Sequence, residues 1–147
     1  MKEFEYYLEK GVVKKVSIDM ARTNDLIEEA ERKFKQIERV LDKIGVDDEN
    51  TNDIIKDSYD VLVGLIRAKM FSEGFSASGF EAHEGEVSFL HRLKFKEQEI
   101  DFIQKLRYFR NGVMYYGKRF DAEYAEKVII FTKDKFEKLK NILNSNK

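Results

Sequence analysis

Not one proline interrupts the 147 residues, and the eight glycines stand well apart from one another. Proline and interior glycine are the common breakers of helices, so a chain this free of them is biased toward long ones. At roughly 100–200 residues per domain, this length is one domain. We read residues 1–147 as that domain, with a short helix and connector over 1–16 and a helical bundle over 17–144. Long helices joined by short turns pack antiparallel. The expected fold is all-α, an up-and-down bundle of four to five helices.

The apolar spacing places the elements. Phe4, Tyr7 and Leu8 mark a short opening helix that Gly11 ends. Val12, Val13 and Val16 form a connector able to run extended. Ile27, Ala30, Phe34, Ile37, Leu41 and Ile44 form a helical stripe, with its start near Ser17 and Gly45 as its stop. An acidic turn, Asp47 to Asp53, leads to a helix over Ile54 to Phe75. Its buried face is Ile55, Tyr59, Leu62, Ile66 and Met70. Gly74, Ser76, Ser78 and Gly79 read as a flexible loop before a shorter helix, Ala82 to Leu93. Asp101 to Tyr116 carries the stripe Phe102, Leu106, Phe109, Val113 and Tyr116, and Gly117 stops it. Asp121 caps a last helix running through Leu143.

Charge narrows the function classes. There are 27 Lys+Arg and 28 Asp+Glu, a formal net charge of −1, so any affinity for nucleic acid has to be local. The absence of cysteine excludes a disulfide framework, a thiolate zinc site and a thiol nucleophile. The longest apolar stretch, Val61 to Ile66, is far short of a membrane span. We expect a soluble, cytoplasmic protein with no membrane partner, no cofactor and no metal.

One segment departs from this neutrality. Between Asp101 and Asp121 stand Lys105, Arg107, Arg110, Lys118 and Arg119, with no acidic residue among them. Phe102, Tyr108, Phe109, Tyr115, Tyr116 and Phe120 are interleaved. Arginine forks hold phosphates, and exposed rings stack on bases. The plain alternative is that half the aromatics are core and Arg107 is merely solvated. Arg110 is the odd residue, about 80° from the stripe centre and flanked by Ile103 and Met114. It either snorkels, pairs with a Glu of a neighbouring helix, or binds an anion at a cleft or subunit interface.

The string LRYFRNGVMYYG, Leu106 to Gly117, resembles the signature helix of the HEPN superfamily. The upstream stretch Asp57 to Leu90 is similar to that of archaeal-type members. The resemblance implies a dimerising four- or five-helix bundle. It also implies metal-independent RNase activity in many members, and toxins paired with a small nucleotidyltransferase antitoxin. Arg110 matches the motif arginine and Asn111 the polar residue that often follows. Four to six residues separate the motif arginine from its histidine, and at those positions this chain has Tyr115, Tyr116 and Gly117. A tyrosine, with a pKa near 10, is about one part in a thousand ionised at pH 7. On a regular helix Tyr115 lies about 140° around from Arg110, and Tyr116 about 120° the other way.

The remaining candidates have plainer readings. His83 shares spacing with Val87 and Leu90 and reads as a packed or loop-pinning histidine; His91, beside Arg92, reads as exposed. Glu28–Arg32 and Glu29–Lys33 read as i, i+4 ion pairs. The five lysines from Lys133 to Lys147 read as a solvated helix end. Three functions follow. The first is a homodimeric nucleotide- or RNA-binding module of toxin–antitoxin or defence type, using Arg107, Arg110, Asn111, Lys118 and Arg119 without catalysis. The second is a metal-independent RNase using Arg110 with Tyr115 or Tyr116. The third is a helical adaptor for a small nucleotidyltransferase.

Overall fold

Four long helices carry the fold, in a computed structural model that describes residues 1–145 and, at 114 and 115, the backbone alone. The elements in order are α1 (Phe4–Glu9), β1 (Val13–Lys15), α2 (Met20–Lys43), α3 (Thr51–Ser72), β2 (Phe75–Ala77), α4 (Ala82–Ser88), a 3₁₀ turn (Phe89–His91), α5 (Glu97–Tyr116) and α6 (Ala122–Asn144). The expected all-α bundle is what forms. No helix among the described residues is long and apolar enough to cross a membrane.

Pairs across the helices give the up-and-down order. Thr23 near the start of α2 donates to the Ala68 carbonyl near the end of α3 (3.2 Å), whereas Lys33 further along α2 reaches back to Asp60 (3.5 Å). Phe102 stacks on Phe131 at 4.1 Å between ring centroids, and Phe109 meets Tyr124 at 5.3 Å, so α5 and α6 are antiparallel. Phe34 stacks on Phe136 at 4.0 Å, closing α6 onto α2. Helix α3 packs against α2, α5 and α6 and is the centre of the core. Its Ile55, Leu62, Leu65 and Ile66 are fully buried. Each such side chain contributes about 1.5–3 kcal/mol by leaving water.

Several boundaries differ from those expected, for local reasons. Asp19, two residues after the expected start at Ser17, is the cap of α2, and its carboxylate accepts from the Arg22 amide (2.9 Å). Helix α3 begins at Thr51 because Asp47 caps the turn before it, accepting from the amides of Glu49 (2.8 Å) and Asn50 (2.9 Å). Helix α5 begins at Glu97, four residues early, with Glu99 accepting from the Lys96 amide (2.8 Å). The buried face of α5 is therefore Ile100, Ile103 and Leu106, and Tyr116, assigned to a core stripe, is 80% exposed.

The expected loop after α3 is partly a strand. Val13–Lys15 and Phe75–Ala77 pair antiparallel, Val13 opposite Ala77 and Lys15 opposite Phe75. Gly74 makes the entry possible: its φ is +80°, and a Cβ there would sit 2.7 Å from the Val16 carbonyl oxygen. At the far end of α5, Gly117 takes φ +64° and stops the helix, as expected.

Candidate functional site

Three helices and the start of a fourth enclose a cleft of about 310 Å³. The facing small residues Ala30 of α2 and Gly64 of α3 form its floor; a Cβ on Gly64 would still clear the Ala30 methyl by 3.8 Å. Charged side chains form the walls: Glu29 and Lys33 from α2, Asp60 and Arg67 from α3, His83 from α4 and Arg110 from α5.

Arg110 reaches this cleft because it continues the buried face of α5, seven residues after Ile103 and four after Leu106, as the helix leaves the core. Its Nη2 lies 3.4 Å from Asp60 Oδ1, too loosely placed to make a hydrogen bond. Asp60 is shared with Lys33, 3.5 Å away. The Arg110 Nε is buried and has no hydrogen-bond partner among the described residues. A guanidinium N–H without an acceptor is costly. A carboxylate of its own chain thus stands beside Arg110, which also lines a cleft.

Arg67 is held differently. Its fork closes on Glu86 of α4, with Nη2 to Oε1 at 3.0 Å. The Glu86 side chain is only 4% exposed, so this pair is a fixed wall. His83 stands where the two walls meet. Its Nδ1 lies 3.5 Å from both the buried Tyr59 hydroxyl and Glu86 Oε1. Burial lowers the His83 pKa; Glu86 opposes this, and Arg67, Arg110 and Arg107 add to it. The imidazole is therefore neutral at neutral pH. Burial, and then the Glu86 charge, push the Tyr59 hydroxyl well above the ordinary tyrosine range, so Tyr59 stays protonated.

The residues expected to act together separate. Arg107 turns toward α4, with Nε donating to Gln104 (3.3 Å) and Nη2 lying 3.8 Å from Glu84. Asn111, Tyr116 and Lys118 line another notch, of about 210 Å³, with the exposed Tyr108. Arg119 donates to the Asp48 carbonyl (2.6 Å), tying the loop after α5 to the turn between α2 and α3. Tyr116 and Arg110 line different cavities, and the Tyr115 side chain lies outside the described residues. His83, expected to be packed, is instead half exposed at the cleft, and sequence spacing missed Arg67 altogether. The available signal was the position of Arg67 on α3, one residue beyond the apolar run that ends at Ile66.

Other charged groups have structural partners. His91, expected to be exposed, is 11% exposed. Its Nε2 meets Glu97 at 2.9 Å, and its Nδ1 meets the Ser88 carbonyl at 3.1 Å and Glu3 at 3.6 Å. Glu3, His91 and Glu97 gather within metal-ligand spacing, but the two carboxylates address opposite ring nitrogens, so one ion cannot bind all three through this ring. Arg32 pairs with Glu29 (2.9 Å), not Glu28, and Lys33 turns to α3. The C-terminal lysines are not simply solvated. Lys135 and Lys138 pair with Glu99, and Lys140 pairs with Glu31; Lys147 lies outside the described residues.

No family model matches the chain, and neither a curated protein nor a solved structure matches it.

Proposed function

We propose that this cleft binds the phosphate of a nucleotide or of single-stranded RNA, and that the protein is a HEPN-like binding module. The cleft-lining guanidinium of Arg110, which makes no hydrogen bond among the described residues, carries the reading. A phosphate oxygen supplies the guanidinium with the hydrogen bond that Asp60, 3.4 Å from its Nη2, does not make. Arg67 and Lys33 bring two more cations to the walls, each already facing a carboxylate, Glu86 and Asp60. The resemblance of Leu106 to Gly117 to the HEPN signature supports the same residue. In this reading the protein is a homodimer of toxin–antitoxin or defence type, and its partner in such a system is a small nucleotidyltransferase.

The test is binding of a fluorescent single-stranded RNA, followed by anisotropy at two salt concentrations. Arg110→Ala should weaken binding at least tenfold and leave the melting temperature nearly unchanged. Equal binding by the variant and the wild type contradicts the proposal.

His83 favours a second reading, a metal-independent RNase. The sequence motif lacks its histidine, but α4 supplies one to the same cleft. With Nδ1 turned to Tyr59 and Glu86, Nε2 is left to take the proton from a ribose 2′-hydroxyl. The 2′-oxygen then bonds to phosphorus, the P–O5′ bond breaks, and O5′ takes a proton from water. The products are a 2′,3′-cyclic phosphate and a 5′-hydroxyl, with Arg110 beside the phosphorane charge. Cleavage that survives EDTA and is lost in both His83→Ala and Arg110→Ala supports this reading. Intact RNA at high protein concentration removes it.

A further inference from the structure

A second cavity of about 230 Å³ adjoins the cleft, with Arg67 and His83 lining both. We propose that this second cavity is a nucleobase subsite, so that the ligand is a nucleoside phosphate unit with its phosphate at Arg110 and its base against β2. The proposal rests on the phosphate reading given above.

Three features of the cavity select a flat heteroaromatic ring. The first is apolar wall: Met70, Phe71 and Phe75 turn to it the little surface they leave exposed. The second is a planar cation. The Arg22 guanidinium lies 4.5 Å from the Phe71 ring centroid, and an arginine plane is a surface on which bases stack. The third is an unused backbone edge. The Ser78 amide donates to Val12 and the Val16 amide to Gly74, so residues 12/78 and 16/74 are hydrogen-bonded pairs of the ladder. Antiparallel pairs alternate, so Lys14/Ser76 is the bonded pair between them, while Val13/Ala77 and Lys15/Phe75 are not bonded pairs. The N–H and C=O of Ala77 therefore point away from β1, and Ala77 lines the cavity. One donor beside one acceptor matches the edge of every nucleobase.

The position of this cavity also suits a nucleotide. Arg67 and His83 line both cavities, so the sugar of a bound nucleotide would run past them. Glu86 also lines the cavity, but its carboxylate is closed by the Arg67 fork.

The experiment titrates the protein calorimetrically with the four ribonucleoside 5′-monophosphates, with ribose 5-phosphate and with adenosine. At least one nucleotide should bind tenfold or more tightly than ribose 5-phosphate. Ala77→Pro removes the outward N–H and costs no ladder bond; Arg22→Ala, at an exposed position, removes the stacking plane. Each should bring nucleotide affinity down toward that of ribose 5-phosphate and leave ribose 5-phosphate itself unchanged. Equal affinity of all phosphates for the wild type overturns the subsite, as does unchanged nucleotide binding in both variants. If no phosphate compound binds, the phosphate reading fails by itself, and adenosine decides the subsite. Adenosine binding lost in Ala77→Pro retains the subsite; no adenosine binding overturns it. A 5′-phosphorylated trinucleotide that binds more tightly than its mononucleotide assigns the site to an RNA end; equal affinity assigns it to a free nucleotide.

Discussion

Replacing Glu86 by glutamine tests whether the Arg67 wall is built by its ion pair. The carboxylate is 4% exposed and takes the guanidinium fork, whereas the Arg67 side chain is 33% exposed. Breaking a fully buried pair from one side costs about 3–5 kcal/mol, but here the orphaned arginine can turn to water at the cleft. Glutamine also keeps one acceptor oxygen. These two corrections bring the expected loss to about 2 kcal/mol, which for a chain of this size is about 4–8 °C in melting temperature. Replacing both partners, Arg67→Met with Glu86→Leu, should recover most of that loss, because neither charge is then left alone. The assay is urea unfolding of the wild type, Glu86→Gln, Arg67→Met, Glu86→Leu and the double variant, the last three closing a double-mutant cycle with the wild type. A coupling near zero, or a double variant as unstable as the sum of the singles, refutes the argument. The pair would then contribute nothing to holding α4 against α3.

Three further outcomes are expected. Gly64→Ala should stabilise the protein by about 0.5–1 kcal/mol, since alanine is the better helix former and its methyl meets Ala30 at an ordinary 3.8 Å; destabilisation in a thermal melt contradicts this. His83 should titrate below the ordinary histidine value of 6.5 by NMR, and Arg110→Ala should raise its pKa by removing a repelling charge. Because the folded-state value is lowered, protonating His83 opposes folding, so its contribution falls away as pH drops below about 6.5. Glu99 is pushed up by burial but held at about 2 by Lys135, the Lys96 amide and Lys138. Its stabilising contribution is complete above the ordinary 4.5 and is lost as pH falls through about 2. Glu99→Gln should therefore cost stability at pH 6 and little at pH 2 in urea melts; an equal cost at both contradicts the assignment.

Helix number and order were legible because apolar spacing repeats over four to six turns and the stops are chemically distinct. Gly45, Gly117 and Asp121 each mark the end or start that the residue suggests. The start of α5 was misjudged because its first turn is polar, Glu97 to Glu99, and shows no apolar stripe. That error rotated the inferred inner face and placed Tyr116 inside. Strand β2 was hidden because Phe75–Ala77 is only three residues long and is held by Gly74 and by a partner strand some sixty residues earlier. At the site, Arg110 stood out because a charge next to an apolar face calls for an explanation. Arg67 and His83 did not, because what distinguishes them is a neighbour in space. Glu86 fixes one and faces the other, and helical spacing carries no record of that meeting of α3 with α4.

The most direct test is an NMR titration of arginine Nε–Hε signals with a single-stranded RNA, or with the tightest nucleotide found. The Arg110 Nε–Hε signal should move markedly and saturably as phosphate docks on its guanidinium, with Arg67 following. If the surface lysine and Arg119 signals move while that of Arg110 stays fixed through saturation, the anion binds elsewhere. Arg110 would then serve only to face Asp60.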